Sequence, residues 1–292
     1  MKKFGKTIKI FLIDGEPNGR MTCELSNWTG KAFRIPRKKI KDSIDRPELE
    51  FTGIYILFGR SDKSENKDLA YIGEAECIYK RLIQHLSSKD FWNDAIVFVS
   101  KDENLNKAHI KYLESRLYEI ALDVSRYDLD NTNVPTRPNI SESDQAEMEE
   151  FIENIRLLVN TLGYKIFEEI RKVNQTIEEQ KNNTFLIEAA RGANAKGQRT
   201  NEGFVVLKDS EIANTITNSF PKNWGNLRES LINDGIIKEN NGRLFFSKDY
   251  LFTSPSAAAA IVMGRSANGL TEWKLNDGRI LKSVELENSN AV

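Results

Sequence analysis

The sequence predicts a mixed α/β protein of the α+β kind. A compact three-stranded sheet with flanking helices forms its centre, with a small N-terminal β-rich unit before it and a C-terminal α+β domain after it. Three observations carry this expectation. Residues 52–124 read strand, strand, helix, strand, helix, about the smallest order that buries its own core. Residues 1–50 alternate in short runs broken by turn chemistry, and residues 204–292 mix strands and helices again. At 292 residues the chain has room for two or three such domains.

In order, TIKIFLIDG (7–15) alternates as a strand ending in a turn, and MTCELSNWTGKAFRIP (21–36) gives two short strands broken at Asn27–Gly30. RKKIKDSI then reads as a basic helix. TGIYILFG and LAYIGEA are strands joined by the polar connection GRSDKSENKD. ECIYKRLIQHLSS places Ile78, Leu82, Ile83 and Leu86 on one helical stripe. DAIVFVS is a third strand, and a long helix follows with Ile110, Leu113, Leu117, Ile120 and Val124 aligned. After a Pro/Asn-rich connection (126–143), residues 147–172 form an amphipathic helix broken at Gly163. The expected domains are 1–50, 51–172, a linker at 173–203, and 204–292.

Composition narrows the class. Hydrophobic residues at 39% and charged residues at 29% place the chain among folded soluble domains. The longest apolar run, AAAAIVM (257–263), falls far short of the roughly 20 residues that span a bilayer, so no membrane partner is expected. IFLI is too short for a signal-peptide core. Cys23 and Cys77 make neither a disulfide framework nor a zinc set, and a reduced, cytoplasmic location follows as the expectation. Net charge is −1, but residues 1–50 carry a net of +5, concentrated in RIPRKKIKD. Arg37, Lys38 and Lys39 are therefore candidate phosphate contacts, against the blander reading of a solvated surface segment.

The chemistry gathers at one place. Tyr71 stands near the end of a strand, and Arg81 and His85, four apart, share a face of the next helix. Pairing the two strands brings Tyr55 near Tyr71, and Glu114 borders the core beside Leu113 and Leu117. Phosphodiester hydrolysis needs a proton acceptor for the attacking water, a cation for the phosphorane charge and help for the leaving oxygen. A phenol, an imidazole, an arginine and a metal-holding carboxylate meet those needs. Each residue also has an ordinary packing role; the joint pattern is the specific signal.

The order GIY (53–55), YIG (71–73), Arg81, His85 and Glu114 in AHIKYLESRL resembles the GIY-YIG nuclease family over residues 51–125. The resemblance implies a metal-dependent endonuclease acting on DNA with Mg2+ or Mn2+. Tyr55 would be the general base, Tyr71 its supporting phenol, Arg81 the charge stabiliser, His85 the proton relay and Glu114 the metal ligand. Members also carry an asparagine after the metal-binding helix, for which Asn131, Asn133 and Asn139 are open. The 15-residue spacing between Tyr55 and Tyr71 makes GRSDKSENKD either a substrate-contacting loop or a tolerated insertion, the latter favoured. His109, off the face of Glu114, reads as structural.

The segments SPSAAAAIVMGRSANGLTEWK and DGRIL are similar to a small domain often fused to such nucleases, related to one associated with restriction enzymes and adenine methylases. That likeness implies nucleic-acid targeting. Arg265, Trp273 and Lys274 are the candidate contacts, with a core anchor the weightier reading for Trp273. RNA cleavage, or a nucleic-acid-binding subunit with little activity alone, stays as the alternative. A homodimer or a larger repair or defence complex stays open as the assembly.

Overall fold

A computed structural model describes residues 4–60, 68–169 and 183–290. The chain divides into two units, Met1–Glu168 and Glu169–Val292.

The first unit is built on one seven-stranded sheet. Its strands are β1 (Ile8–Leu12), β2 (Met21–Leu25), β3 (Gly30–Pro36), β4 (Gly53–Arg60), β5 (Asp68–Ala75), β6 (Trp92–Ser100) and β7 (Asp128–Leu129). They run in the order β1-β2-β3-β6-β4-β5-β7, antiparallel except for the parallel β5/β7 contact. The segment GIYILF in β4 is buried at every position because both sheet faces are covered. Ile54, Ile56 and Phe58 face α2 (Lys107–Val124) and α3 (Glu142–Thr161). Tyr55 and Leu57 face the other way, with α1 (Ile78–Ser88) and the short 3-10 turns that contribute Ile40 and Leu49. Alternation along one strand thus distributes five side chains between two cores.

The N-terminal fifty residues are not a separate accessory unit, which corrects the sequence reading. β3 pairs with β6 through seven consecutive residues, from Gly30 opposite Ser100 to Pro36 opposite Asp94. The expected three strands, β4, β5 and β6, lie side by side within this larger sheet. About sixty residues separate β3 from β6, and local periodicity carries no information about so distant a pairing. The basic helix expected at RKKIKDSI is instead two 3-10 turns, Arg37–Lys39 and Lys41–Asp45. The loop expectation for GRSDKSENKD falls largely on residues outside those described.

Helix ends follow their capping chemistry. Asn106 accepts the Ala108 and His109 N–H groups at the start of α2. Ser141 accepts the Asp144 N–H, so α3 begins five residues earlier than its apolar stripe suggested. It ends before Gly163, whose φ of +94° suits glycine. Among the described residues no helix is long and apolar enough to cross a membrane.

The second unit holds a seven-stranded antiparallel sheet. Six strands run β12 (Ile237–Asn240), β13 (Arg243–Phe246), β11 (Glu211–Ile212), β9 (Ala193–Thr200), β10 (Gly203–Val206), β14 (Tyr250–Phe252), and β8 (Thr184–Ala189) joins β9 separately. The expected linker therefore corresponds in its second half to β8 and β9; residues 173–182 lie outside those described. In ANAKGQ, Ala193, Ala195 and Gly197 alternate with polar residues, and Gly197 must stay small because an added Cβ would lie 2.3 Å from the Phe204 ring. Small residues hid this strand among loop composition. Among the described residues the unit's helices are α4 (Lys222–Asn233), α5 (Pro255–Met263), α6 (Gly269–Glu272) and α7 (Leu281–Asn290). Ser254 caps α5 by accepting the Ala257 N–H, and Ala257–Met263 are all buried.

Candidate active site at the open edge of strand five

Tyr55 and His85 meet first. Tyr55 faces α1 from β4 and is 1% exposed. One turn before the end of α1, His85 points back at it, and the Tyr55 Oη and His85 Nε2 atoms are 2.8 Å apart. The ring centroids of Tyr55, Tyr71 and His85 lie 5.4 to 6.1 Å from one another. The Tyr55 and Tyr71 rings are tilted 32° to one another. This close approach depends on Gly73, opposite Tyr55 in the ladder. An added Cβ there would stand 2.4 Å from the Tyr55 Oη.

Burial sets the protonation states. Desolvation pushes the Tyr55 phenol well above its ordinary value, the neighbouring Tyr71 adding to the effect and Arg81 opposing it. Desolvation likewise lowers His85 to about 4, helped by the charges of Arg81 and Lys89. At neutral pH the phenol keeps its proton and the imidazole is uncharged, so Nε2 is the acceptor. Nδ1–H then points to Ser88 Oγ at 3.4 Å.

Glu114 reaches this cluster by an indirect route. Helices α1 and α2 cover opposite faces of the sheet, so their side chains meet only around an edge. β5 provides one, because β7 pairs with it only at Leu69 and Ala70. Beyond that point other groups take over the ladder. The Asp130 N–H donates to Ala70 O at 2.8 Å. Asn131 then replaces a strand at residue 72: Ile72 N–H donates to its Oδ1 at 3.1 Å, and its Nδ2 donates to Ile72 O at 2.8 Å. Glu74 stands at the next outward position, close enough for its charge to act on the Glu114 carboxyl. Glu114 thus lies near the open edge of β5, beside Glu74.

Burial raises Glu114 to about 7, with Glu74 adding to the rise and Arg81 and Lys111 opposing it. The charge of the exposed Arg81 guanidinium acts on Tyr55, His85 and Glu114 alike. Arg81 Nη1 donates to Gln84 Oε1 at 3.3 Å. No group of three or more His, Cys, Asp or Glu side chains forms a metal cage among the described residues. A buried carboxylate with a second beside it fits instead a hard cation that keeps several waters and takes further oxygens from phosphate.

Of the five residues expected from the sequence, Tyr55, Tyr71 and His85 are in contact, and Arg81 and Glu114 lie near enough to act on them electrostatically. Of the three open asparagines, Asn131 is the one clamped to β5. The nucleic-acid candidates fare differently. Arg37 donates to Leu86 O and Lys89 O, both at 2.8 Å, and its guanidinium lies 4.5 Å from the Trp92 ring centroid. It closes the C-terminal end of α1 and is engaged with protein. Lys39 pairs with Asp42 at 3.3 Å, and Lys38 is exposed. Trp273 is fully buried, 4.5 Å from the Phe204 ring, and donates to Pro255 O, so it cannot stack on a base. Arg265 pairs with Glu272 at 2.9 Å. Lys274 is an exposed residue whose backbone pairs with Leu186. His109 hydrogen-bonds with Asn106 and takes no part in the cluster.

A family model described as a domain of unknown function, DUF4357, matches residues 185–285, within the second unit. No curated protein and no solved structure matches the chain.

Proposed function

We propose that the first unit hydrolyses phosphodiester bonds in DNA as a metal-dependent endonuclease of the GIY-YIG type. The observation that carries this reading is the buried 2.8 Å contact between Tyr55 Oη and His85 Nε2, beside an arginine and a carboxylate. A buried phenol is a poor base alone. With an uncharged imidazole against it, the phenol can pass its proton to Nε2 while taking one from the attacking water.

Tyr71, partly exposed next to Tyr55, orients that water. The Arg81 guanidinium neutralises charge on the phosphorane oxygens as the 3′ oxygen leaves. Glu114, with Glu74 beside it, would hold Mg2+ or Mn2+, which supplies Lewis-acid polarisation of the phosphate when bound. The second unit serves as a targeting module. Residues 183–292 carry 13 bases and 12 acids, so its contacts would be local rather than a broad basic face.

The test incubates the purified chain with single-stranded DNA, duplex DNA and RNA, each with magnesium, manganese or chelator. Metal-dependent DNA cleavage that Tyr55→Phe, Arg81→Ala and Glu114→Ala each reduce by about a hundredfold is expected. Cutting confined to RNA would move the substrate class, and cutting unchanged by Glu114→Ala would refute the site.

A further inference from the structure

One side chain beside the cluster has no part in the proposed proton path. Lys89 follows directly after α1. Its backbone N–H donates to His85 O at 3.2 Å, and its carbonyl accepts from Arg37. The side chain crosses to β5, where Nζ stands 4.2 Å from the Tyr71 ring centroid and 2.5 Å from Asp130 Oδ2. Asp130 is itself anchored by its N–H to Ala70 O, and its neighbour Asn131 clamps Ile72 twice. Ala70 and Ile72 flank Tyr71. The ring is therefore held between the His85 imidazole, 5.4 Å away, and the lysine.

We infer that Lys89, held by Asp130, is a positioning residue that fixes the Tyr71 ring against the Tyr55–His85 pair. The inference rests on the proposed nuclease reading for its consequence in catalysis, but the geometric restraint stands without it. An ammonium over an aromatic face is attracted by the ring, more strongly when desolvated, and this lysine side chain is only 19% exposed. A partly exposed ion pair alone adds little to global stability. The strap should therefore act on the ring and not on folding. Arginine can reproduce both the ring contact and the carboxylate pairing; methionine, of similar length, reproduces neither.

The experiment combines steady-state cleavage with NMR of 13C-labelled tyrosine rings, the Tyr71 signal identified from Tyr71→Phe among the eight tyrosines. Lys89→Met and Asp130→Asn are expected to shift and broaden the Tyr71 signal. They should lower kcat about tenfold at unchanged KM, with Tm within about 2 °C of the parent. Lys89→Arg should restore both readouts. Lys101→Met, which breaks an exposed pair with Glu24, is the surface control and should change neither. An unaltered Tyr71 signal in Lys89→Met overturns the inference. So does a raised KM with kcat intact, which would mean that the amine meets substrate instead. Should the parent chain cut nothing, the nuclease reading falls while the Tyr71 signal still decides whether the strap exists.

Discussion

Tyr55 Oη and His85 Nε2 stand 2.8 Å apart in a pocket that leaves the phenol 1% and the imidazole 6% exposed. A pair so placed acts as one unit. Tyr55→Phe and His85→Ala should each lower kcat by about a hundredfold, and the double variant should be no worse than about threefold below either. Single-turnover cleavage rates check this; multiplicative losses would show two independent roles.

Gly73 makes that contact sterically available. Gly73→Ala places a methyl 2.4 Å from Tyr55 Oη and must push the phenol away from His85. Overpacking of this kind costs about 1–3 kcal/mol. Urea denaturation should show that loss, with kcat falling toward the Tyr55→Phe level.

Two displaced titrations give the stability a pH signature. His85, lowered from 6.5 to about 4, favours the uncharged ring in the folded state. Its stabilisation is complete above pH 6.5 and is lost as pH falls toward 4. Glu114, raised from 4.5 to about 7, favours the protonated acid, so stability falls as pH rises from 4.5 to 7. Glu114→Gln should be more stable than the parent at pH 8, by up to about 3 kcal/mol, and equal to it at pH 4. Chemical denaturation at the two pH values checks the sign. A parent that gains on Glu114→Gln between pH 4 and 8 would contradict it.

Because Glu114 must lose its proton to bind a cation, divalent affinity should rise with pH up to about 7 and level off above it. Calorimetric titration with Mn2+ at pH 6 and pH 8, in buffers of different ionisation enthalpy, measures both affinity and proton release.

Arg37 was a candidate phosphate contact and is instead the cap of α1. Arg37→Lys keeps the charge but loses the two-carbonyl fork and the stacking on Trp92. It should lower stability by about 1–2 kcal/mol and leave the salt dependence of DNA binding unchanged. A reduced salt slope would return Arg37 to the nucleic-acid surface.

These cases show where the sequence was legible. The apolar stripe of α1 and the four-residue spacing of Arg81 and His85 are local facts, so their shared face could be read directly. The two-sided burial of β4 was also written locally, in the unbroken run GIYILF. The pairing of β3 with β6 was not, since nothing in either strand names a partner so far away in the chain. Asn131 could be narrowed to three candidates, but only the unpaired edge of β5 selects it. Trp273 was ambiguous because a tryptophan suits a core as well as a base stack. Lys89 left no local signal: its role depends on Tyr71 and Asp130, which only the fold brings near.

The most direct test is cleavage of end-labelled duplex DNA at pH 7.5 with Mn2+, comparing the parent with Glu114→Gln, which preserves shape and removes only the ionisable acid. The account predicts metal-dependent cutting by the parent and a loss of about a hundredfold or more in the variant. Equal cutting by both proteins would contradict it.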